Sequence, residues 1–503
     1  MRLKKLASRR NLSALMAVIL MQVVLTYLGV LWVALDNTNA EGNLYKVKRQ
    51  DAAVTSFGAN SAEDNSAHLK TSNQSKLPSE ILVNDPKNVL VSKVRVAGSK
   101  LLLQLFSKST SFCDGKIEML DNAAAMFRNA VVDPSLASAQ AESRASIKDV
   151  LLQKESLEFY RLKKGYLTVD DCSNVPAPES LQIDGEDSDH IKELNKAVAI
   201  SENHADVKQQ YDGDFVIMIT RYEYANVYWT VVDLYDAFLM MQLYNRTFDS
   251  TGILNIVNTA PDLWLFDAHP QSKLDDIFDG VFRHVIRPND FNRPTRFRKL
   301  VQCFQRGKSP ILRKILEPLP LVKEFRSQVI AALKIDPLAD RKRRCVEMQL
   351  NVLFIWRRNY IAHPRNPSGV VSRKISNEDE LLNVTKSHFP KYSVIGEQLD
   401  AYPVKRQLEV IGNTDIMIGM HGAGFGFVVF MQEGSGVLEM WPKGLQGNWH
   451  MEYLAKRNWL YYKSWQNTKE ENEDSKEKTT KISTEAVKKL VEELSESVCS
   501  KYM

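Results

Sequence analysis

The spacing of apolar and polar positions predicts two successive sets of strands and helices along this chain. In the first set, the short apolar runs 215–219, 263–266 and 281–286 indicate strands. A long helical pattern, 226–244, lies between the first two of these runs. Strands that alternate with helices are typical of a layered α/β domain, which we expect to occupy residues 86–340.

The second set begins after a basic cluster at 341–344, which we interpret as a solvated linker between domains. Runs 346–356, 416–420 and 437–440 predict strands, and 425–431 predicts a short helix. An amphipathic pattern at 482–495 predicts a terminal helix. We therefore expect a second α/β domain over residues 341–503, with a cleft between the two domains.

The most informative segment follows the apolar run 416–420. His421 is followed by Gly422, Ala423 and Gly424, and then by a new apolar stretch. This order predicts a buried strand that ends in a tight turn and enters a helix. Small residues allow close approach of a ligand, and a helix start offers free N–H groups and partial positive charge to an anion. The segment is a candidate phosphate cradle. His421 would either bond the phosphate or fix the turn.

The N-terminal region predicts membrane attachment. Residues 12–35 carry no charge and are long enough to cross a bilayer, and five Lys and Arg residues lie in the preceding tail, 1–11. We expect a signal anchor with its N-terminus in the cytoplasm; a cleaved signal peptide is the alternative. Residues 36–85 are rich in Asn, Ser, Ala and Asp, which predicts a flexible stem.

The sequons, cysteines and net charge indicate the cellular compartment and argue against a nucleic-acid partner. The sequons at Asn73, Asn245 and Asn383 fit a lumenal glycoprotein. Five widely spaced cysteines without a C-x-x-C pair argue against zinc, and they allow one or two disulfides with one thiol left free. A net charge of +5 over 503 residues gives no reason to expect a nucleic-acid partner.

A first group of candidate binding residues follows the first predicted strand. Ligands of an α/β sheet bind beyond the carboxyl ends of its strands, which is where Arg221 and Glu223 lie. On a helix, Asn226, Trp229 and Asp233 would share one face and could present an amide, an aromatic ring and a carboxylate to a sugar. The alternative is an ordinary helix start with Asn226 as its N-cap.

A second group of candidate binding residues lies in the second domain. Arg357 and Arg358 end a predicted strand and could bind a diphosphate bidentately. Glu439, at the end of the 437–440 run, could accept two ribose hydroxyls. The paired acids Asp170-Asp171 and Asp275-Asp276 do not follow a strand beside the glycine turn. We therefore expect a site without a metal, in which arginines and a helix start replace the cation.

These motifs resemble glycosyltransferase family 61. The resemblance rests on His421-Gly422-Ala423-Gly424, the preceding Asn413-Thr414-Asp415-Ile416 and the following Val437-Leu438-Glu439. Segments 220–226 and 357–365 look most like the plant N-glycan β-1,2-xylosyltransferase branch. Trp229 stands where the family often has histidine, and Phe425 where it usually has leucine.

The resemblance implies a GT-B fold, with two Rossmann-like domains facing a cleft, and inverting transfer from a UDP-sugar. Its branch implies UDP-xylose as donor and the 2-hydroxyl of the core β-mannose of N-glycans as acceptor. We then expect Asp233 as the catalytic base, with Glu223 second, and acceptor contacts from Asn226, Trp229 and Arg221. The nucleotide sugar would be bound by Arg357, Arg358, His421, Gly422, Ala423, Gly424 and Glu439.

Two alternatives remain. One is an O-linked GlcNAc transferase of the same family, acting on EGF-type domains or O-mannose. The other is a membrane-anchored glycan-binding protein without catalysis. An uncleaved anchor with a stem favours the Golgi membrane, with the endoplasmic reticulum as the second choice.

Overall fold

The structure is a computed structural model and describes residues 108–183, 188–244, 246–248, 254–256, 260–304, 306–336, 340–445 and 450–503. Its strands are β1 Ser109–Phe112, β2 Ile117–Leu120, β3 Ala124–Val132, β4 Ala137–Ser138, β5 Arg161–Leu162, β6 Leu167–Val169, β7 Val198–Ile200, β8 Gln209–Gln210, β9 Val216–Ile219, β10 Arg246–Phe248, β11 Leu254–Ile256, β12 Asp262–Leu265, β13 Val285–Ile286, β14 Thr295–Gln302, β15 Asn351–Ile355, β16 Lys374–Ile375, β17 Ser393–Glu397, β18 Ile416–Met420, β19 Gly436–Trp441, β20 Tyr461–Gln466, β21 Glu473–Asp474 and β22 Thr479–Thr480. Its α-helices are α1 Asp189–Ala197, α2 Val227–Tyr244, α3 Asp276–Val281, α4 Val322–Ala332, α5 Arg341–Glu347, α6 Glu378–His388, α7 Val404–Gly412, α8 His450–Arg457 and α9 Thr484–Cys499. The α/β class expected from the sequence is confirmed.

The first large sheet is mixed. Its main path runs β1-β2-β3-β14-β9-β12-β13, and β6, β7 and β8 pair at its sides. Strands β1, β2, β3 and β14 pair antiparallel, whereas β14, β9, β12 and β13 pair parallel. Helix α2 follows β9 directly, so its first turn lies beyond the carboxyl end of a parallel strand.

The second large sheet has five parallel strands in the order β17-β15-β18-β19-β20. In chain order this is 2-1-3-4-5, and the order reverses between the first strand, β15, and the third, β18. In open α/β sheets ligands bind outside the carboxyl ends of the strands at such a reversal. Strand β18 is buried at every position because both faces of the sheet are covered.

One apolar cluster extends from the first sheet to the second. It contains most of α2, the inner faces of β9 and β12, and the short 3-10 helix Ala423–Phe430 that follows β18. This short helix packs on the start of α2 so closely that a methyl group at Gly426 would lie 2.7 Å from the Cα atom of Tyr228. The turn after β18 and the first turn of α2 therefore face each other.

Three expectations about elements are wrong. The run 281–286 is the end of α3 followed by a strand of two residues, and 346–356 begins inside helix α5. The basic cluster is that helix, capped by Asp340, and not a solvated linker. Arg341 and Arg344 lie on one face, where both bind the fully buried carboxylate of Asp415 at 2.7 to 3.0 Å.

Disulfides link Cys113 to Cys172 and Cys345 to Cys499, and Cys303 is a buried free thiol. This matches the expected one or two bridges with one cysteine left over. Within the described residues, no helix has the length and apolar character needed to cross a bilayer. The expected tail, anchor and stem (1–85) and the sequon asparagines Asn73 and Asn245 lie outside the described residues. Asn383 is exposed on α6.

Candidate active site

A cleft of about 500 Å³ lies where the start of α2 faces the turn after β18. Such a volume is within the usual range for small-molecule sites. Five of the residues named from the sequence as donor or acceptor contacts line it, on both sides. Its lining consists of Asn226, Tyr228, Trp229, Gly307, Leu312, Arg313, Arg373, His421, Gly422, Ala423, His450 and Met451.

The turn after β18 forms the expected cradle. Strand pairing continues as far as His421, whose N–H donates to Met440 O at 2.8 Å. The first helical turn closes with Phe425 N–H donating to Gly422 O at 3.1 Å, so the amides before Phe425 have no acceptor within the helix. At the reversal point of a parallel sheet, these amides can bind an anion.

Two arginines adjoin this cradle. The Arg357 guanidinium, beyond the end of β15, lies so close to Gly422 that any side chain there would collide with it. Among the described residues, Arg357 donates only to Ser372 O, at 3.2 Å, and Arg373 has no hydrogen-bond partner. Burial, with Arg373 as the second cause, lowers the pKa of Arg357 to about 10. Two half-buried cations without an acidic partner in contact would be stabilised by a bound anion.

Arg358 does not belong to this pair, and its expected role is wrong. Arg358 is exposed, whereas Arg357 is half-buried. Its Nε and Nη2 atoms donate to one oxygen of Glu378, at 2.9 and 2.6 Å.

Two neighbouring side chains, Glu439 and Trp441, hold His421. Its Nδ1 lies 2.6 Å from Glu439 Oε1, and its ring stacks on Trp441 with 3.9 Å between centroids and 13° between planes. The second oxygen of Glu439 accepts from the Tyr462 hydroxyl at 2.5 Å. Glu439 is completely buried. This corrects the ribose assignment, because both Glu439 oxygens are used inside the protein.

Asn226 and Trp229 face the cleft from α2, as expected for acceptor contacts. Asn226 also caps the helix, since its Oδ1 accepts from Tyr228 N–H at 3.1 Å and its Nδ2 donates to Glu223 Oε2 at 2.8 Å. Trp229 makes edge contacts with Tyr222 and Tyr228. The geometry shows the capping role of Asn226, and acceptor contact by Asn226 stays a prediction.

Arg221 cannot contact an acceptor, so this prediction is wrong. Its side chain is 1% exposed and forms ion pairs with Asp267 at 2.6 Å and Asp275 at 2.9 Å. It also donates to the carbonyl oxygens of His269 and Pro270. These bonds use the whole guanidinium to fix the segment after β9 beneath the cleft.

The two carboxylates expected to act as bases lie beside the cleft and do not line it. Asp233 is in the second turn of α2 and accepts a hydrogen bond from Tyr222 N–H. Burial, followed by the neighbouring Asp236, raises the pKa of Asp233 well above its usual range. Glu223 is bonded to Asn226. Both carboxylates thus support the loop 220–226 from within.

Sequence reasoning missed four residues that shape the site: Arg313, Arg373, His450 and Tyr462. Each is a single polar residue outside any recognisable spacing. Arg373 lies 16 positions after Arg357 in a segment without regular structure, and its φ of 60° marks a strained backbone. Only the fold brings it to the cradle.

Residues 256–438 match the family model for Glycosyltransferase 61. The matched segment includes Arg357, Arg373 and the turn 421–424, and it begins after α2. This match confirms the resemblance predicted from the motifs.

The chain is also similar to curated plant and animal glycosyltransferases. It is 26% identical over 249 residues to a β-1,2-xylosyltransferase of Oryza sativa subsp. japonica, covering 44% of each chain. It is 23% identical over 325 residues to the β-1,2-xylosyltransferase of Arabidopsis thaliana, covering 56% of this chain and 57% of the relative. A shorter match, 38% over 69 residues, is to the EGF domain-specific O-linked N-acetylglucosamine transferase of Drosophila melanogaster, covering 14% of this chain and 13% of the relative. The chain thus spans about half the length of the plant relatives it matches.

Proposed function

We propose that this chain is an inverting glycosyltransferase that moves a sugar from a UDP-sugar to a glycan of a glycoprotein. The favoured reaction is transfer of xylose from UDP-xylose to the 2-hydroxyl of the core β-mannose of N-glycans. The observation that carries the proposal is the pair Arg357 and Arg373 beside the amides of residues 422–424, at the reversal point of the parallel sheet.

The donor diphosphate would bind between the two guanidiniums and the helix start. Departure of UDP places negative charge on the terminal phosphate, and preorganised donors stabilise such charge without rearranging. Arginine binds phosphate bidentately and stays charged at neutral pH even with a pKa of about 10. We therefore propose a transfer that needs no metal ion.

The acceptor would approach from the α2 side of the same cleft. Trp229 offers an aromatic face to a sugar, and Asn226 offers an amide whose orientation Glu223 fixes. An acceptor-binding part facing a nucleotide-binding part across a cleft is the GT-B arrangement, which we propose for this chain.

The identity of the sugar rests on similarity. The two plant relatives favour xylose because their matches are long. The match to the EGF domain-specific transferase favours N-acetylglucosamine, and it makes GlcNAc transfer to EGF domains the second candidate.

We also propose a type II Golgi membrane location. The two disulfides are consistent with an oxidising lumen, and the charge-free segment 12–35 after a basic tail is the proposed anchor.

The test offers radiolabelled UDP-xylose and UDP-GlcNAc to the purified full-length chain. The acceptors are a trimmed N-glycan, a folded EGF domain and an O-mannosyl peptide, with the variant carrying both Arg357→Ala and Arg373→Ala as the negative control. Xylose transfer to the N-glycan alone supports the proposal. GlcNAc transfer alone replaces it with the second candidate, and absence of transfer from any donor contradicts enzymatic function.

A further inference from the structure

The transfer needs a group that removes the proton of the acceptor hydroxyl. Among the described residues lining the cleft there is no carboxylate. The Asp233 carboxylate accepts a hydrogen bond from a backbone amide, and its raised pKa favours the protonated form, which cannot take up a further proton. Asp233 is therefore poorly suited to act as the base. The cleft offers two imidazoles, His421 and His450, and Nδ1 of His421 is bonded to the buried carboxylate of Glu439.

The bonds of Glu439 determine which nitrogen of His421 faces the cleft. The Tyr462 hydroxyl donates to Oε2 at 2.5 Å, and burial followed by the Glu439 charge raises the pKa of that hydroxyl, so it keeps its proton. Glu439 also interacts electrostatically with the guanidinium of Arg373. An ionised carboxylate only accepts, so Nδ1 of His421 carries the proton and Nε2 holds a lone pair.

The ring plane is also fixed. Trp441 stacks against the imidazole at 3.9 Å, and the His421 side chain is only 6% exposed. A carboxylate that orients a histidine from behind, while the opposite nitrogen faces the substrate, is the arrangement of a general base. His421 lines the same cleft as Gly422 of the anion cradle and as Asn226 and Trp229 of the proposed acceptor side.

We propose that His421 is the proton acceptor of the transfer reaction and that Glu439 and Tyr462 are its positioning residues. This inference rests on the proposed function. In the step, the acceptor oxygen bonds to C1 of the sugar while its proton moves to Nε2 of His421. The electron pair of the bond between C1 and the phosphate oxygen leaves with UDP. The imidazolium, with Glu439 against Nδ1, then releases the proton to water.

Titratable and charged groups around His421 come from several elements, and Arg313 and His450 line the same cleft. Glu439 comes from β19 and Tyr462 from β20, Arg357 adjoins the turn from the end of β15, and Arg373 comes from the segment before β16. Protonation of Nε2 removes the lone pair that would take up the proton of the acceptor hydroxyl. Turnover should therefore fall on the acidic side of the pH profile. That limb should disappear from the residual rate of Glu439→Gln, because a glutamine amide favours the tautomer with its proton on Nε2.

The test measures turnover and UDP affinity separately in the full-length chain, with whichever donor the wild type uses. Hydrolysis of that donor gives a second rate that does not depend on the acceptor. His421→Ala and Glu439→Gln should lower kcat about 10²- to 10⁴-fold. Tyr462→Phe, which removes one supporting hydrogen bond, should lower kcat about two- to tenfold. UDP affinity should change by less than about threefold in all three variants.

Added imidazole should restore part of the His421→Ala rate, because the slot against Trp441 can hold it. Glu493→Gln is the matched control: it removes a half-buried carboxylate that binds Lys463 of β20, outside the cleft, and should leave all constants unchanged. His450→Gln should retain the acidic limb of the pH profile.

Two results would overturn the inference while leaving the proposed function intact. One is a His421→Ala variant with nearly normal kcat and greatly weakened UDP binding, which would make His421 a ligand of the diphosphate. The other is loss of the acidic limb in His450→Gln alone. A wild-type chain that neither binds UDP nor transfers sugar would overturn the proposed function and this inference together.

Discussion

The contact between Gly426 and Tyr228 couples the two sides of the cleft, and replacing Gly426 by alanine tests that coupling. The new Cβ atom would lie 2.7 Å from Tyr228 Cα and 3.1 Å from Tyr228 N. Both are backbone atoms of α2 and cannot rotate away. Ordinary contact begins at 3.4 Å, so the short helix and α2 must separate by roughly 0.7 Å.

The separation has two expected effects. Overpacking of a well-packed contact costs about 1–3 kcal/mol, so the free energy of unfolding should fall by that amount. The first turn of α2 carries Asn226 and Trp229 into the cleft, and a misplacement of about 1 Å can cost about 10²-fold in rate. We expect kcat/KM for the acceptor to fall about ten- to hundredfold.

Denaturant unfolding and acceptor kinetics measure these effects. Gly424→Ala is the control for stability, because its Cβ would meet only two side-chain atoms of Ile355, at ordinary distances of 3.5 and 4.0 Å. Its free energy of unfolding should stay within about 1 kcal/mol of wild type. A Gly426→Ala variant with wild-type stability and acceptor kinetics would refute the coupling.

Three further predictions concern separate parts of the molecule. Arg373→Ala should raise the donor KM about ten- to hundredfold, because a hydrogen bond to a charged group contributes about 1.5–3 kcal/mol; steady-state kinetics with varied donor checks this. Asp415→Asn should lower the free energy of unfolding by about 3–5 kcal/mol in denaturant titrations, because Arg341 and Arg344 stay buried without their partner. Burial, with His269 as the second cause, lowers the pKa of His190 from 6.5 to about 3, so the unfolded chain binds the extra proton. Stability should therefore fall as pH decreases from about 6.5 to about 3, and His190→Gln should reduce that slope by up to about 1.4 kcal/mol per pH unit.

Each of these three predictions has its own control or contradicting result. Arg358→Ala should keep the donor KM, because Arg358 binds Glu378; an equal loss in both arginine variants would contradict the assignment of Arg373. Glu347→Gln breaks an exposed pair with Arg343 and should cost less than about 1 kcal/mol. An unchanged slope between pH 6.5 and 3 in His190→Gln would show that another group controls acid stability.

The cradle could be predicted because it is local in sequence. Strand β18 is one apolar run, and the glycine-rich turn after it follows directly, so pattern alone gave the strand, the turn and the helix start. The end of β15 and the position of α2 after β9 were predicted for the same reason. Parallel strands bring their carboxyl ends to one edge, which explains why Arg357 meets Gly422.

The direction of individual charged side chains could not be predicted from the same patterns. Arg221, Arg341 and Arg344 looked available to ligands or solvent, yet each binds a buried aspartate far away in the sequence. A buried charge needs a partner, and the partner is chosen by the fold. Glu439 was likewise expected to bind ribose, whereas β20 brings Tyr462 to one of its oxygens and the turn brings His421 to the other.

The central claim is that two arginines and a helix start bind a UDP-sugar and promote its transfer without a metal. The most direct measurement is transfer of radiolabelled xylose from UDP-xylose to a trimmed N-glycan in excess EDTA. The wild type should be compared with the variant that carries both Arg357→Ala and Arg373→Ala. We predict full wild-type turnover in EDTA, and loss of donor binding and turnover in the variant. Turnover that stops in EDTA and returns with added Mn²⁺, or a variant that binds and transfers normally, would contradict the claim.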